Sequence, residues 1–501
     1  MPAQLVRWIA AALVAATAVP ASAQYYPRVE YTEAAVELLR TAAHGEREGG
    51  GTIIGTLATL QDKDLVPLFT AMATGADPAA RVFGVLGVGM TDSSAGISPA
   101  MLACLKDPAE VMVVVREANS NGLLRSTNLD PMMARTDLLP PTVVTLTGEL
   151  NRRGQAWDAA RIKPLVTFEE PSLAGVASLL MLTAGDPAPW EAFRERCLAL
   201  AEPERSQVAR ALAEASMVFE LKKAAKPVLD LCLQPGMSDE AQFAAIGMAL
   251  ALAPEDGMKA WLARVAARRT QPALVRAGLQ LLASEEKNTP AGAFDKIRTG
   301  SPVLEAIANT GVALRSGADP VAALIALYDV GHPASAEWAL VRARKLPPDK
   351  AAAVWKHVLA KIDAPQPEDR PTAVPVALAV RELMKSDPAA VKALLDKARA
   401  QPVLAVAILS GVYDSAAPEG AEIARALRGS LPRAGESLAA MILARTDAPM
   451  TDDDFDVLGR AAAGGGDLEV MRSSQAAWYL LKRRGKSDEA VIRIAGPGGS
   501  K

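Results

Sequence analysis

Aromatic side chains are scarce in this sequence: they make up only 4% of its 501 residues, although half of the residues are hydrophobic. A core made from this composition consists mainly of alanine, leucine and valine. Such residues suit closely packed helices better than sheets, which favour β-branched and aromatic side chains. The composition therefore predicts an all-α fold.

Residues that commonly carry catalysis are also few. The three histidines, His44, His332 and His357, are far apart and match no metal-binding spacing. His332 precedes a proline at a helix-entry position, which indicates a structural role. No G-x-S-x-G motif occurs, and the glycine-rich run GEREGGGT lacks the G-K-[ST] ending of a phosphate loop. The sequence thus predicts no catalytic, cofactor-binding or metal-binding residue.

One acidic run resembles a calcium loop at first sight, because it contains aspartate at positions 452, 453, 454 and 456. In that pattern Val457 stands where glycine is required and Ala463 where glutamate is required, so the EF-hand interpretation fails. The better interpretation is a helix start, with Thr451 or Asp452 as the cap and the acids complementing the helix dipole.

The sequence has no large excess of charge of either sign: 54 basic and 57 acidic side chains give a formal net charge of −3. This balance argues against a general nucleic-acid or anionic-membrane binder. Three basic clusters fall at predicted helix ends, where cations complement the dipole. If the first two share a face, they form an anionic docking site. The clusters are Arg264/Arg268/Arg269, Arg342/Arg344/Lys345 and Lys482/Arg483/Arg484/Lys486.

The longest apolar run lies near the N-terminus, from Trp8 to Val19. Arg7 precedes it, Pro20 ends it, and Ala21-Ser22-Ala23 follows as a small-x-small cleavage site. The run is shorter than the roughly 20 residues needed to span a bilayer. These features predict a signal peptide cleaved after Ala23 and a periplasmic or secreted protein without a transmembrane segment.

Three cysteines, Cys104, Cys197 and Cys232, each precede a leucine near the end of a predicted helix. Cys197 and Cys232 lie about one repeat apart, so a single disulfide with one free thiol is one interpretation. Three buried core cysteines at equivalent positions are the favoured one, because helix pairs often exceed the reach of a disulfide.

Proline, in contrast, is abundant and precedes apolar-periodic runs at intervals of 30 to 38 residues. It fits the first turn of a helix because its φ is fixed and it has no N–H to donate. Between Gln271 and Leu346 the pattern repeats three times: an X-Pro step, a helix with apolar residues at i, i+3, i+4 and i+7, and a second helix. This two-helix period is typical of a solenoid. Helix starts are predicted at Pro78, Pro108, Pro140, Pro171, Pro203, Pro235, Pro272, Pro302, Pro333, Pro371, Pro402 and Pro432.

The X-Pro turn and the arginine and alanine that follow it resemble the HEAT-repeat family, in particular its short form of about thirty residues found in phycobilisome-lyase-like proteins. Arg81 follows Asp77-Pro78, Arg116 follows Asp107-Pro108, and Arg276 precedes Ala277. The resemblance covers roughly residues 61–446. It implies a right-handed α-solenoid of stacked antiparallel helix pairs whose concave face binds partners, and it implies no reaction.

The predicted organisation has a repeat region between two capping segments, because a solenoid needs polar ends. A loop at Pro254–Gly257 and a possible joint at residues 363–375 explain the two longest intervals between prolines. The segments are a signal peptide (1–23), an N-terminal tail with capping helices (24–60), HEAT-like repeats (61–446), C-terminal capping helices (447–495) and a disordered tail (496–501).

These features predict a non-enzymatic exported scaffold that binds a protein partner, with no cofactor. The alternative is an envelope enzyme acting on polysaccharide or peptidoglycan, or an accessory subunit of one. Glu436-Ser437 faintly resembles the catalytic pair of lytic transglycosylases, but the companion Gly-Leu-Met-Gln motif is missing. A cleft with facing carboxylates, or a row of exposed tryptophans, would favour the enzyme.

Overall fold

The computed structural model describes residues 28–45, 50–362, 373–431, 433–463 and 467–495. Several predictions concern positions outside these described residues: the signal peptide, both terminal tails, most of the joint at 363–375, most of the GEREGGG loop, and the helix starts at Pro371 and Pro432.

The described chain is helical throughout and contains no strand within those ranges, which confirms the all-α prediction. None of the helices described is long and apolar enough to cross a membrane. In chain order the helices are α1 (Arg28–Ala43), α2 (Gly50–Ala58), α3 (Val66–Thr74), α4 (Pro78–Thr91), α5 (Pro99–Leu102), α6 (Pro108–Ser120), α7 (Asp130–Met133), α8 (Pro140–Arg152), α9 (Ala159–Ile162), α10 (Pro171–Ala184), α11 (Ala188–Leu198), α12 (Glu204–Val218), α13 (Ala225–Cys232), α14 (Asp239–Leu252), α15 (Pro254–Ala267), α16 (Gln271–Ala283), α17 (Pro302–Arg315), α18 (Val321–Asp329), α19 (Pro333–Ala343), α20 (Pro348–Ala360), α21 (Ala373–Ser386), α22 (Pro388–Lys392), α23 (Leu395–Ala400), α24 (Pro402–Ser415), α25 (Gly420–Leu427), α26 (Arg433–Arg445), α27 (Asp452–Ala463), α28 (Asp467–Arg483) and α29 (Ser487–Ala495).

Most of the predicted X-Pro steps do open helices, and the local reason is visible at the caps. The residue before a proline is pushed into an extended conformation, which is the conformation an N-cap requires. Asp77 and Asp107 adopt it, and their carboxylates accept hydrogen bonds from the backbone N–H of Ala79 (2.9 Å) and Ala109 (2.7 Å). At these two Asp-Pro steps the aspartate therefore supplies the cap and the proline lies in the first turn.

Two predictions near residue 250 are wrong. Pro235 opens no helix, because Gly236 has a φ of +84° and Ser238 caps α14 instead, at Asp239. Pro254–Gly257 is not a loop but the first turn of α15, with the proline at a position where its missing N–H costs nothing. Only Ala253 separates α14 from α15.

The helices form two compact units, and Asp107–Leu340 make up the second of them. Within this unit every second helix packs in succession: α6 against α8, α8 against α10, α10 against α12, and α12 against α14. Further along, α14 packs against α15, α16 against α17, and α17 against α18. The described core is thus a series of packed helix pairs.

The first unit comprises residues 1–106 and 341–501, so it contains both ends of the chain. Helix α1 packs against α27, α28 and α29, and α2 packs against α28. The two segments predicted as separate caps are therefore in contact with each other. Asp62 accepts hydrogen bonds from the Trp478 indole (3.0 Å) and the Lys482 ammonium (2.9 Å), which connect the segment between α2 and α3 to α28.

Mid-helix glycines allow some of these helices to approach closely. A Cβ at Gly84 of α4 would collide with the backbone of Phe69 and Ala73 in α3. A Cβ at Gly411 of α24 would likewise collide with the Ala377 carbonyl in α21. At such contacts only glycine lets the two backbones meet.

Candidate functional site

A pocket with a volume of about 230 Å³ lies between α14, α15 and α16 in the second unit. Three arginines line it: Arg264 and Arg268 from the end of α15, and Arg276 from α16. We call it the arginine pocket. Asp239 at the start of α14 is the carboxylate of its lining.

The pocket exists because α14 and α16 meet through side chains rather than through close backbone packing. The Gln280 amide of α16 donates to the Phe243 carbonyl of α14 (2.7 Å), and the Arg276 guanidinium lies 3.9 Å from the centre of the Phe243 ring. Gly247 leaves room for Gln280, since a Cβ there would contact the amide nitrogen at 3.0 Å. These long side chains hold the helices apart and leave space beside them.

Apolar groups form the inner wall of the pocket. Trp261 of α15 is buried, and its indole Nε1 donates to the Ala277 carbonyl of α16 (3.0 Å). Val265 and Ala277 are buried beside it. The indole hydrogen bond joins α15 to α16 at this wall of the pocket.

The Asp239 carboxylate lies between two of the arginines. Its Oδ2 accepts a hydrogen bond from Arg268 Nη1 and lies 3.4 Å from Arg264 Nη2. Arg264 is mostly buried and donates a further hydrogen bond through Nη1 to the Gln242 side chain (2.7 Å). The pocket is thus already shaped to hold one carboxylate oxygen between two guanidinium groups.

Positive charge exceeds negative charge in the lining, where three guanidinium groups face one carboxylate. At the rim, Glu240 lies 3.7 Å from Arg276, too far for a hydrogen bond. A guanidinium carries five N–H donors, so most donors of the three arginines face solvent or the open pocket. This arrangement can hold an anionic group against an apolar wall.

Of the first basic cluster named from the sequence, Arg264 and Arg268 line the pocket, whereas Arg269 lies outside the lining. Arg344 of the second cluster lies in the first unit, where it pairs with Glu382 (3.3 Å) of the same unit. A shared face for these two clusters stays a prediction. The third cluster is structural, since Lys482 pairs with Asp62 and Arg483 with Asp447 (2.9 Å).

Other residues singled out in the sequence stabilise helix starts. Thr451 caps α27, and its backbone N–H donates to the Asp454 carboxylate (2.7 Å) in a reciprocal arrangement. The ring of His332 accepts from the Ser335 N–H (3.4 Å) at the start of α19. Across the described part of the chain, no three His, Cys, Asp or Glu side chains converge as a metal site requires.

The cysteines are free thiols, so the disulfide interpretation is wrong. Cys197 and Cys232 are buried, as the favoured interpretation predicted, whereas Cys104 is partly exposed. Burial raises the pKa of the Cys197 thiol to about 11 and that of Cys232 to about 12. Neither thiol is therefore a ready nucleophile at neutral pH.

The arginines that carry the HEAT resemblance have three different roles. Arg81 is buried and donates to the carbonyls of Gly75 (3.0 Å) and Ala76 (2.9 Å), which fixes the turn before α4. Arg116 is exposed and pairs with Glu117. Arg276 lines the pocket.

Sequence reasoning missed Asp239, Phe243 and Gln280 as pocket residues, and it did not connect Arg276 with the α15 cluster. The interval of 37 residues between Pro235 and Pro272 gave no signal of the pocket, because its extra residues precede α14: α14 begins at Asp239 and α16 at Gln271, 32 positions later.

Comparison with protein-family models, with curated proteins and with solved structures gave no match to this chain. The fold and the arginine pocket are therefore the basis on which its function is argued.

Proposed function

We propose that this chain is an exported, non-enzymatic scaffold, a HEAT-like α-solenoid that binds a protein partner. The observation that carries the proposal is the succession of helices in the second unit, in which α6 packs against α8, α8 against α10, α10 against α12, and α12 against α14. A row of equivalent helices presents a long surface of repeated side chains, which is how solenoid proteins bind partners.

The arginine pocket supports the proposal because it places a suitable contact on this surface. Arginine is enriched at the centres of protein–protein interfaces, since its planar fork makes several directed hydrogen bonds while its stem packs on apolar groups. In the pocket, Arg276 lies over Phe243 and Arg264 lies beside the buried Trp261 wall. Export of the chain is part of the proposal and rests on the N-terminal sequence.

The alternative proposal is an enzyme that acts on envelope polysaccharide, or its accessory subunit. A sugar-binding groove requires several exposed aromatic rings in a row. Of the tryptophans in the described residues, Trp190, Trp261, Trp355 and Trp478 are buried, and Trp157 and Trp338 are half-buried. These positions favour the scaffold as the first proposal to test.

The test is a crosslinked capture with tagged chain 24–501 in its native envelope, analysed by mass spectrometry. The scaffold proposal predicts one protein recovered in stoichiometric amount, and recovery of no protein contradicts it. A parallel incubation with purified peptidoglycan tests the alternative, which predicts the release of soluble fragments.

A further inference from the structure

We propose that the arginine pocket binds a carboxylate from an acidic segment of the partner polypeptide. This inference rests on the proposed scaffold function and names the chemistry of the contact. Four observations carry it: the excess of guanidinium groups, their unused donors, the apolar wall, and the size of the cavity.

The charge of the lining selects an anion. Arg264, Arg268 and Arg276 face the space, and Asp239 is the carboxylate among them. Arg264 is mostly buried, so its charge is screened less by salt than that of an exposed side chain. An incoming anion therefore gains charge-assisted hydrogen bonds that surface arginines supply only weakly.

The geometry favours a carboxylate over a phosphate. Asp239 already occupies the space between Arg264 and Arg268, which shows that these guanidinium groups are spaced for carboxylate oxygens. A single carboxylate matches the remaining charge, because three guanidinium groups less the carboxylates of Asp239 and Glu240 leave one positive charge. A doubly charged phosphate would leave an excess of negative charge in the pocket.

The size and the wall favour a side chain or a chain end. The cavity of about 230 Å³ is smaller than the 300–1,000 Å³ typical of sites for whole small molecules. It accommodates the end of one acidic side chain with its methylene groups against Trp261 and Val265. A polypeptide can place such a group in the pocket while the rest of the segment lies along α15 and α16.

The test measures fluorescence anisotropy of labelled peptides with chain 24–501. One peptide carries several glutamates spaced by alanine, leucine and glycine; a second carries glutamine at the same positions; a third repeats the first with an amidated C-terminus. The glutamate peptide is expected to bind and the glutamine peptide to bind at least about tenfold more weakly. Loss of binding on amidation assigns the contact to the chain end, and unchanged binding assigns it to side chains.

Variants of the pocket give changes of opposite sign. Arg264→Gln and Arg276→Gln are each expected to weaken binding of the glutamate peptide about tenfold. Asp239→Asn removes the competing carboxylate and is expected to tighten binding about threefold or more, a result that misfolding cannot produce. Arg116→Gln, at an exposed position of α6 in the same unit, is the charge-matched control and is expected to bind like the wild type.

Three results overturn the inference: equal binding of the glutamate and glutamine peptides, equal binding by wild type and Arg276→Gln, or calorimetric binding of inorganic phosphate where the glutamate peptide does not bind. The envelope capture distinguishes failure of the pocket inference from failure of the scaffold proposal. If the wild-type chain captures an envelope protein and Arg264→Gln and Arg276→Gln each retain it equally, the pocket inference is wrong and the scaffold proposal stands.

Discussion

The carboxylate of Asp62 accepts a hydrogen bond from the indole of Trp478, a residue 416 positions further along the chain. Lys482 donates to the same carboxylate, and Asp64 supplies a second partner for Lys482 (2.8 Å). Together with the packing of α1 against α27, α28 and α29, this contact holds the two ends of the chain in one unit.

The Asp62 contact predicts a dependence of stability on pH. Burial raises the pKa of Asp62, but the hydrogen bonds from Trp478 and Lys482 outweigh it and hold the pKa below its ordinary value. A carboxyl group whose pKa is lowered by folding stabilises the protein above its unfolded pKa, about 3.9, and this contribution is lost as the pH falls through the folded pKa. Asp62→Asn should therefore lower the free energy of unfolding at pH 7 by about 1–3 kcal/mol and by less near pH 3.

The measurement is urea unfolding at both pH values, followed by circular dichroism. Asp64→Asn is the matched control, since Asp64 contacts the same lysine but is largely exposed; its change should stay within about 0.5 kcal/mol. An equal loss for both variants would contradict the role assigned to Asp62.

A second prediction concerns Glu149, which is only 3% exposed and bonds to Arg152 (2.6 Å) and Arg153 (2.9 Å). Burial raises the pKa of Glu149, but the hydrogen bonds from the two arginines outweigh that effect. The pKa therefore lies below its ordinary value, and the carboxyl group stays charged. Glu149→Gln leaves two guanidinium groups without their carboxylate and should destabilise the second unit by about 2–4 kcal/mol. Glu214→Gln removes an exposed partner of Arg210 and should cost less than about 1 kcal/mol. Similar melting temperatures for the two variants would disprove the prediction.

A third prediction separates two glycines of the first unit. Gly84→Ala places a methyl group against the α3 backbone and should destabilise the protein by about 1–3 kcal/mol. Gly55→Ala, in α2, meets no atom within 4 Å and should stabilise the helix by about 0.5–1 kcal/mol. Thermal unfolding of both variants checks the signs, and a stabilised Gly84→Ala would contradict the close contact of α3 and α4.

A fourth prediction concerns thiol reactivity. Cys104 is partly exposed, whereas burial raises the pKa of Cys197 to about 11 and of Cys232 to about 12. At pH 8 a thiol reagent should label Cys104 first and the other two only in denaturant, so Cys104→Ser should remove the fast phase. A protein whose mass shows one disulfide before reduction would contradict the free thiols.

Features of the fold that depend on neighbouring residues could be predicted from the sequence, whereas contacts between distant segments could not. The helix starts at Pro78 and Pro108 depend on the proline and the residue before it, so the local pattern was sufficient. The start expected at Pro235 failed for an equally local reason, the left-handed turn at Gly236. The Asp62–Trp478 contact joins distant segments, and no local pattern indicates it.

The arginine pocket could be predicted from the sequence only in part. The charge of Arg264 and Arg268 was evident in the sequence, but its meaning depended on which helix lies opposite. That neighbour is set by how α14 and α16 pack against α15 in the folded chain. Arg276 could be read as a family-like arginine, yet only the packing of α14 and α16 brings it to Phe243.

The central claim is that this chain binds a protein partner through an acidic group in the arginine pocket. Its most direct test compares crosslinked envelope captures by the wild type, Arg276→Gln and Arg116→Gln at equal expression and equal melting temperature. The account predicts one stoichiometric partner, retained by the wild type and Arg116→Gln and reduced about tenfold with Arg276→Gln. No partner for the wild type, or equal recovery with all three chains, would contradict it.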